Sequence, residues 1–171
     1  MRRSKARFSM LLMCCGIFFL GGWLGGAMAK SKPPQRPPLA PEKRDAFLAG
    51  KHNAILATIK KDGSPQLTPV WYRWDGEQFW VSITKERAKY KNIQRDSRVS
   101  LCIDDVGTFT TVIASGKAHL TEDNLWVDTL KIVERYRGVE QGAAYVKNMQ
   151  EKKEPRVLLV LKPEKVISWG P

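Results

Sequence analysis

Ser82-Ile83-Thr84-Lys85-Glu86-Arg87-Ala88-Lys89-Tyr90-Lys91-Asn92-Ile93-Gln94-Arg95-Asp96-Ser97-Arg98-Val99-Ser100-Leu101 is the stretch on which the reading of this chain turns. A strand leads into it, because Phe79, Val81 and Ile83 alternate with Gln78, Trp80, Ser82 and Thr84. The period then becomes helical through Arg95, and an apolar run resumes at Val99. Ser82 and Thr84 therefore share one face at the end of a strand. Thr84 reads as the N-cap of a helix opening with Lys85, Glu86, Arg87 and Lys89. Hydroxyls, free backbone N–H groups and cations then meet at one helix N-terminus, an arrangement suited to an anion. Lys91 and Arg95 read as the solvated face of the same helix.

Outward from this stretch the chain is mainly β. Asn53 to Lys60 reads as a buried strand, and Asp62-Gly63 as a turn into Gln66 to Trp74. Pro69 interrupts that second strand and marks a bulge or an unpaired edge. Asp75-Gly76 turns the chain into the strand that ends at Thr84. Arg98 to Asp104 follows the basic helix, and then comes a long strand from Phe109 to Leu120, broken at Gly116. Thr121-Glu122-Asp123 caps a helix running to Arg137, and Glu140 to Gln150 forms another. Val157 to Leu161 and Lys165 to Trp169 are the closing strands. Pro41 opens a short helix that Gly50 stops. This order predicts an α+β chain: an antiparallel barrel of about six strands with peripheral helices over 41–171.

Before Pro41 the composition changes twice. Residues 1–7 are basic, Phe8 to Gly26 is apolar, and Ala27-Met28-Ala29 offers a small-x-small cleavage pattern. Residues 1–29 thus read as a signal peptide or an N-terminal anchor, giving an exported, periplasmic or membrane-anchored protein. A start at Met28 would instead leave it cytoplasmic. Lys30 to Pro41 carries five prolines, so residues 30–40 read as an extended linker.

The 171 residues are 43% apolar and 27% charged, with a formal net charge of +12. That is globular composition with a preference for anionic ligands. Cys14 and Cys15 belong to the leader, so Cys102 stands alone in the remainder. There is no Walker loop, no Gly-x-Gly-x-x-Gly, no Cys-x-x-Cys and no His-Glu-x-x-His, and His52 and His119 read as structural. A metal site is not expected. Nor is a nucleic-acid surface, because only Arg73 lies among the aromatics Trp71, Tyr72, Trp74 and Trp80.

Five motifs in order carry a resemblance: Ala54-Ile55-Leu56-Ala57-Thr58, Asp62-Gly63-x-Pro65, Thr68-Pro69-Val70-Trp71, the Arg87-x-Lys89 helix start, and Arg98-Val99-Ser100-Leu101. Together they resemble the pyridoxamine-phosphate-oxidase-like split β-barrel, its flavin/deazaflavin oxidoreductase branch above all. The resemblance implies a homodimer with cofactor sites at the subunit interface. It implies FMN or the deazaflavin coenzyme F-420 as cofactor, with haem as the lesser alternative. Carried over, Arg87 and Lys89 hold the cofactor phosphate with help from Ser82 and Thr84, and Pro69, Val70 and Trp71 lie along the ring system. The implied function is hydride transfer between reduced cofactor and a small electrophilic substrate, the alternative being a non-catalytic flavin or haem carrier. The vitamin-B6 oxidases end in an Arg-x-His element, whereas this sequence reads Lys165-Val166-Ile167-Ser168-Trp169-Gly170-Pro171, so pyridoxamine-phosphate oxidation is not expected. No catalytic acid or base is identified.

Overall fold

The computed structural model describes residues 37–171, so the expectations for the leader and for most of the linker lie outside the described residues. The elements run α1 (Pro41–Ala49), β1 (Ala54–Ile59), β2 (Pro65–Val70), β3 (Arg73–Trp74), β4 (Phe79–Thr84), α2 (Ala88–Arg95), β5 (Arg98–Asp105), β6 (Thr110–Thr121), α3 (Leu125–Arg137), α4 (Val139–Glu151), β7 (Arg156–Leu161) and β8 (Lys165–Trp169). No described helix is long and apolar enough to cross a membrane.

All strand pairs are antiparallel, in the order β2-β1-β5-β6-β7-β4-β3, and β8 also pairs with β6. This is the expected α+β split barrel, with eight strands among the described residues rather than about six. The expected strand Gln66–Trp74 is cut at Trp71 and Tyr72, leaving β2 and the two-residue β3. β2 is a terminal strand of the sheet order, which tolerates Pro69 opposite Ile55.

β6 is shared by two curled sheets. One edge pairs with β5; the other pairs with β8 at Thr111–Ser115 and with β7 at Ala118–Thr121. Gly116 therefore does not break the strand but marks its change of partner. A Cβ there would lie 3.1 Å from the Glu164 nitrogen and 3.2 Å from the Lys162 oxygen, where β7 passes into β8.

Period-two alternation builds the core. Leu56, Leu101, Ile103 and Val112 from one sheet meet Phe79, Val81, Leu159 and Leu161 from the other in one cluster. β7 is buried on both faces, because Leu158 and Val160 face outward onto Ile132 of α3, with Trp71, Trp80 and Tyr136 around them. The helical hairpin α3–α4 thus covers the outside of the β3-β4-β7 sheet.

Two helix starts differ from expectation. Thr84 is not an N-cap: it remains in β4 opposite Arg156, Lys85 to Arg87 form a turn closed by Arg87 N–H onto the Thr84 carbonyl at 3.1 Å, and α2 begins at Ala88. The ladder to β7 holds Thr84 in extended backbone, and the helix starts about one turn after it, at Ala88. Likewise Thr121 ends β6 and bonds with Asp123, and Asn124, in the left-handed region at φ 50°, precedes α3.

Candidate functional site

A cleft of about 420 Å³ lies where β2 and β4 end beneath the α3–α4 hairpin. All seven residues singled out from the sequence line it: Pro69, Val70, Trp71, Ser82, Thr84, Arg87 and Lys89. The structure adds Arg156, together with Ile132, Val133, Tyr145 and Met149 of the hairpin. The size suits a cofactor or small-ligand pocket.

One end is cationic. Arg156, at the head of β7, lies directly across the ladder from Thr84, and its side chain is 13% exposed. Its Nε donates to Ser82 Oγ at 3.0 Å, its Nη2 to the Ser82 carbonyl at 2.9 Å and its Nη1 to Thr84 Oγ1 at 3.5 Å. Glu154 braces it at 3.0 Å. Arg87 and Lys89 reach the same end from the turn and the first helical residues. Burial holds the Lys89 ammonium below the ordinary lysine pKa, and the neighbouring Arg87 and Arg156 charges push it the same way. No carboxylate lines the cleft among the described residues, so three cations face it with one brace between them. An anion there would relieve their repulsion.

The expected helix-terminus site is thereby corrected. Thr84 does not cap α2, and α2 has no side-chain cap at all. The cationic character comes instead from side chains: Arg156, set by the β4–β7 ladder, and Arg87 and Lys89 on the turn and helix that follow β4. Lys91 is exposed as expected; Arg95 is exposed too, yet its guanidinium bonds the Ile59 carbonyl and Asn92 Oδ1.

The other end is apolar and aromatic. Trp71 stacks on Tyr136 with centroids 4.9 Å apart and planes 7° apart. Tyr136 is fixed by its hydroxyl, which donates to the His52 carbonyl at 2.8 Å and receives the Tyr72 N–H at 3.2 Å. Trp71 is thus both packed and part of the cleft wall. Tyr145 stands beside it at 6.4 Å, with the Arg137 guanidinium 4.2 Å from the Tyr145 ring centre. A flat ring system and a phosphate are the two groups this donor set fits: a rigid aromatic wall for one and fixed cations with hydroxyls for the other.

Neither histidine lines the cleft: His52 stacks on Phe47 at 4.5 Å and His119 is exposed on β6. Tyr72 is fully buried, its hydroxyl donating to the Leu48 carbonyl, and the Trp80 indole N–H donates to Asp75. Arg156 was missed in the sequence because its partners in the cleft, Ser82 and Thr84, lie more than seventy residues away. A cation heading the wholly apolar run Val157–Leu161 is the one local signal for it. Ile132, Val133, Tyr145 and Met149 carry no signal beyond a helix face.

A conserved hypothetical protein of Mycobacterium tuberculosis, Rv2991, is similar at 28% identity and TM-score 0.69, over 82% of this chain and 90% of that one. An F420 reductase is similar at 26% identity and TM-score 0.58, over 71% of this chain and 94% of that one. A heme binding protein from Mycobacterium smegmatis shares the fold at 20% identity and TM-score 0.59, over 78% of this chain and 55% of that one. The family model described as pyridoxamine 5'-phosphate oxidase matches residues 40–170, which takes in all eight strands and four helices of the described residues and every residue of the cleft. The chain belongs to the pyridoxamine 5'-phosphate oxidase family.

Proposed function

We propose that this protein is a flavin- or deazaflavin-dependent oxidoreductase that binds FMN or coenzyme F-420 in the cleft and reduces a small electrophilic substrate. One observation carries the reading: Arg87, Lys89 and Arg156 converge with Ser82 and Thr84 at one end of a cleft whose other end is walled by Trp71. When bound, the cofactor supplies the hydride chemistry. The chain's own residues bind and orient. The cations and Ser82 fix the phosphate, Trp71 backed by Tyr136 holds the ring plane, and Ile132, Val133 and Met149 exclude water from the hairpin side. The likeness to an F420 reductase supports the deazaflavin alternative. The carrier reading is weaker for haem, because no histidine faces the cleft to ligate iron.

A homodimer is part of the proposal. Pro69, Ile55, Cys102, Ile113 and Ile167 stand opposite one another across β2, β1, β5, β6 and β8, an apolar row on the sheet face opposite the core cluster. Ile55 is 37% and Ile167 44% exposed. Pro69 belongs both to this row and to the cleft lining, so a second copy seated here would border the cleft.

Titrating the purified protein with FMN and with F-420, following ring fluorescence, tests the reading. Micromolar binding of either, followed by turnover of electrophilic substrates with the reduced form, is the expected result. Failure to bind both removes the proposal, and a Soret band in the purified protein replaces it with the haem carrier.

A further inference from the structure

Thr129 lies in the middle of α3, is completely buried, and does not line the cleft. Its hydroxyl oxygen lies 2.9 Å from Ser82 Oγ and makes no other hydrogen bond among the described residues. Ser82 Oγ also accepts the Arg156 Nε–H at 3.0 Å, while Arg156 Nη2 holds the Ser82 carbonyl.

The protons can be counted. A hydroxyl has one hydrogen to give and two lone pairs to accept with. Arg156 occupies one lone pair of Ser82, since guanidinium donates and never accepts. If Ser82 donated to Thr129, the Thr129 hydrogen would be buried with no acceptor, which is costly. If Thr129 donates, every buried hydrogen is satisfied, both lone pairs of Ser82 are filled, and the Ser82 hydrogen is left to point away from both partners. Ser82 lines the cleft at the end that Arg87, Lys89 and Arg156 make positive.

We infer that Thr129 is a positioning residue: it donates to Ser82 and so holds the Ser82 hydroxyl as a fixed donor toward an anion oxygen in the cleft. The ligand group this serves is a phosphate ester, an acceptor of several hydrogen bonds. The inference rests on the reading of the cleft as a phosphate site. Without Thr129, Ser82 is free to turn its hydrogen elsewhere, and the anion loses a pre-oriented donor.

The full-length protein is titrated with FMN and with riboflavin, which differ by the phosphate alone. The parent prefers FMN. Thr129→Val, close in shape, lowers FMN affinity by roughly five- to tenfold, about the worth of one hydrogen bond, and leaves riboflavin affinity unchanged. Thr129→Ser restores the preference, and Ser82→Ala combined with Thr129→Val loses no more than Ser82→Ala alone. If Thr129→Val does not fold, Thr129→Ala carries the same expectation. An unchanged FMN-to-riboflavin ratio in Thr129→Val, beside a reduced ratio in Lys89→Ala, overturns the relay and leaves the phosphate site standing. A ratio unmoved in both variants overturns the phosphate site and the relay with it.

Discussion

Thr84 and Arg156 face each other across the β4–β7 ladder although 72 residues separate them in the chain. Their register sets the cationic end of the cleft: it brings the Arg156 guanidinium onto Ser82 and leaves Arg87 and Lys89 to close the site from the following turn.

Lys89→Ala should weaken FMN or F-420 binding by roughly ten- to hundredfold, the worth of one or two charge-assisted bonds. Lys91→Ala, on the exposed face of α2, should change it less than about twofold. Fluorescence titration reads both, and circular dichroism should show both folded. Equal losses in the two variants would return α2 to a solvated basic helix.

Binding should also depend on alkaline pH. Lys89 titrates below an ordinary lysine because of burial and then of Arg87 and Arg156. Between its folded pKa and its higher unfolded one, the unfolded chain keeps a proton that the folded one has released. This group's contribution to stability therefore rises with pH across that window. For the ligand the sign is opposite: an anion needs the charged lysine, so affinity should fall as pH rises through the folded pKa. Lys89→Arg should hold its affinity through the same range. Titrations from neutral pH upward distinguish the two.

Tyr136→Phe keeps the ring beneath Trp71 but removes the hydroxyl that serves His52 and Tyr72. It should cost about 1–3 kcal/mol in urea denaturation, the penalty for leaving partly buried backbone groups unpaired. Cofactor affinity should change far less than in Trp71→Ala, which removes the wall itself.

Gly142→Ala should be costlier than most helix substitutions of this kind, which ordinarily stabilise. Gly142 is buried, and a Cβ there would sit 3.0 Å from the Glu134 Cα, so α3 and α4 would have to separate. A loss of about 1–3 kcal/mol is expected from such overpacking. Ala143→Gly, on the exposed side, should lose only about 1 kcal/mol or less.

Ile55→Glu puts a charge into the apolar row from Pro69 to Ile167, between Pro69 and Cys102. Light scattering should give a dimer for the parent and a monomer for the variant at the same concentration. A monomeric parent removes the proposed interface.

The strands were legible because Phe79, Val81 and Ile83, or Leu101 and Ile103, alternate cleanly with polar partners. The same alternation put Ser82 and Thr84 on one face. What the sequence could not express was register. Thr84 carries every local mark of a helix cap, yet pairing with Arg156 holds it in the strand. Gly116 looked like a break, because the passage of β7 into β8 beside it is a long-range event. Arg156 and Thr129 touch Ser82 only through the pairing of β4 with β7 and the packing of α3, and no local pattern points either of them at Ser82.

β6 and β7 are neighbours in the sheet, yet the chain between them, from Glu122 to Pro155, is spent almost wholly on the α3–α4 hairpin. The connection could have been a tight turn; instead it is an excursion that leaves the barrel and returns to the adjoining strand. Ile132, Val133, Tyr145 and Met149 ride on that excursion, whereas Arg87, Lys89 and Arg156 stay with the barrel. The cleft is therefore divided by the origin of its parts: the barrel and the turn after β4 bring the charge, the excursion brings the apolar cover, and Thr129 and Tyr136 of α3 tie the two halves together.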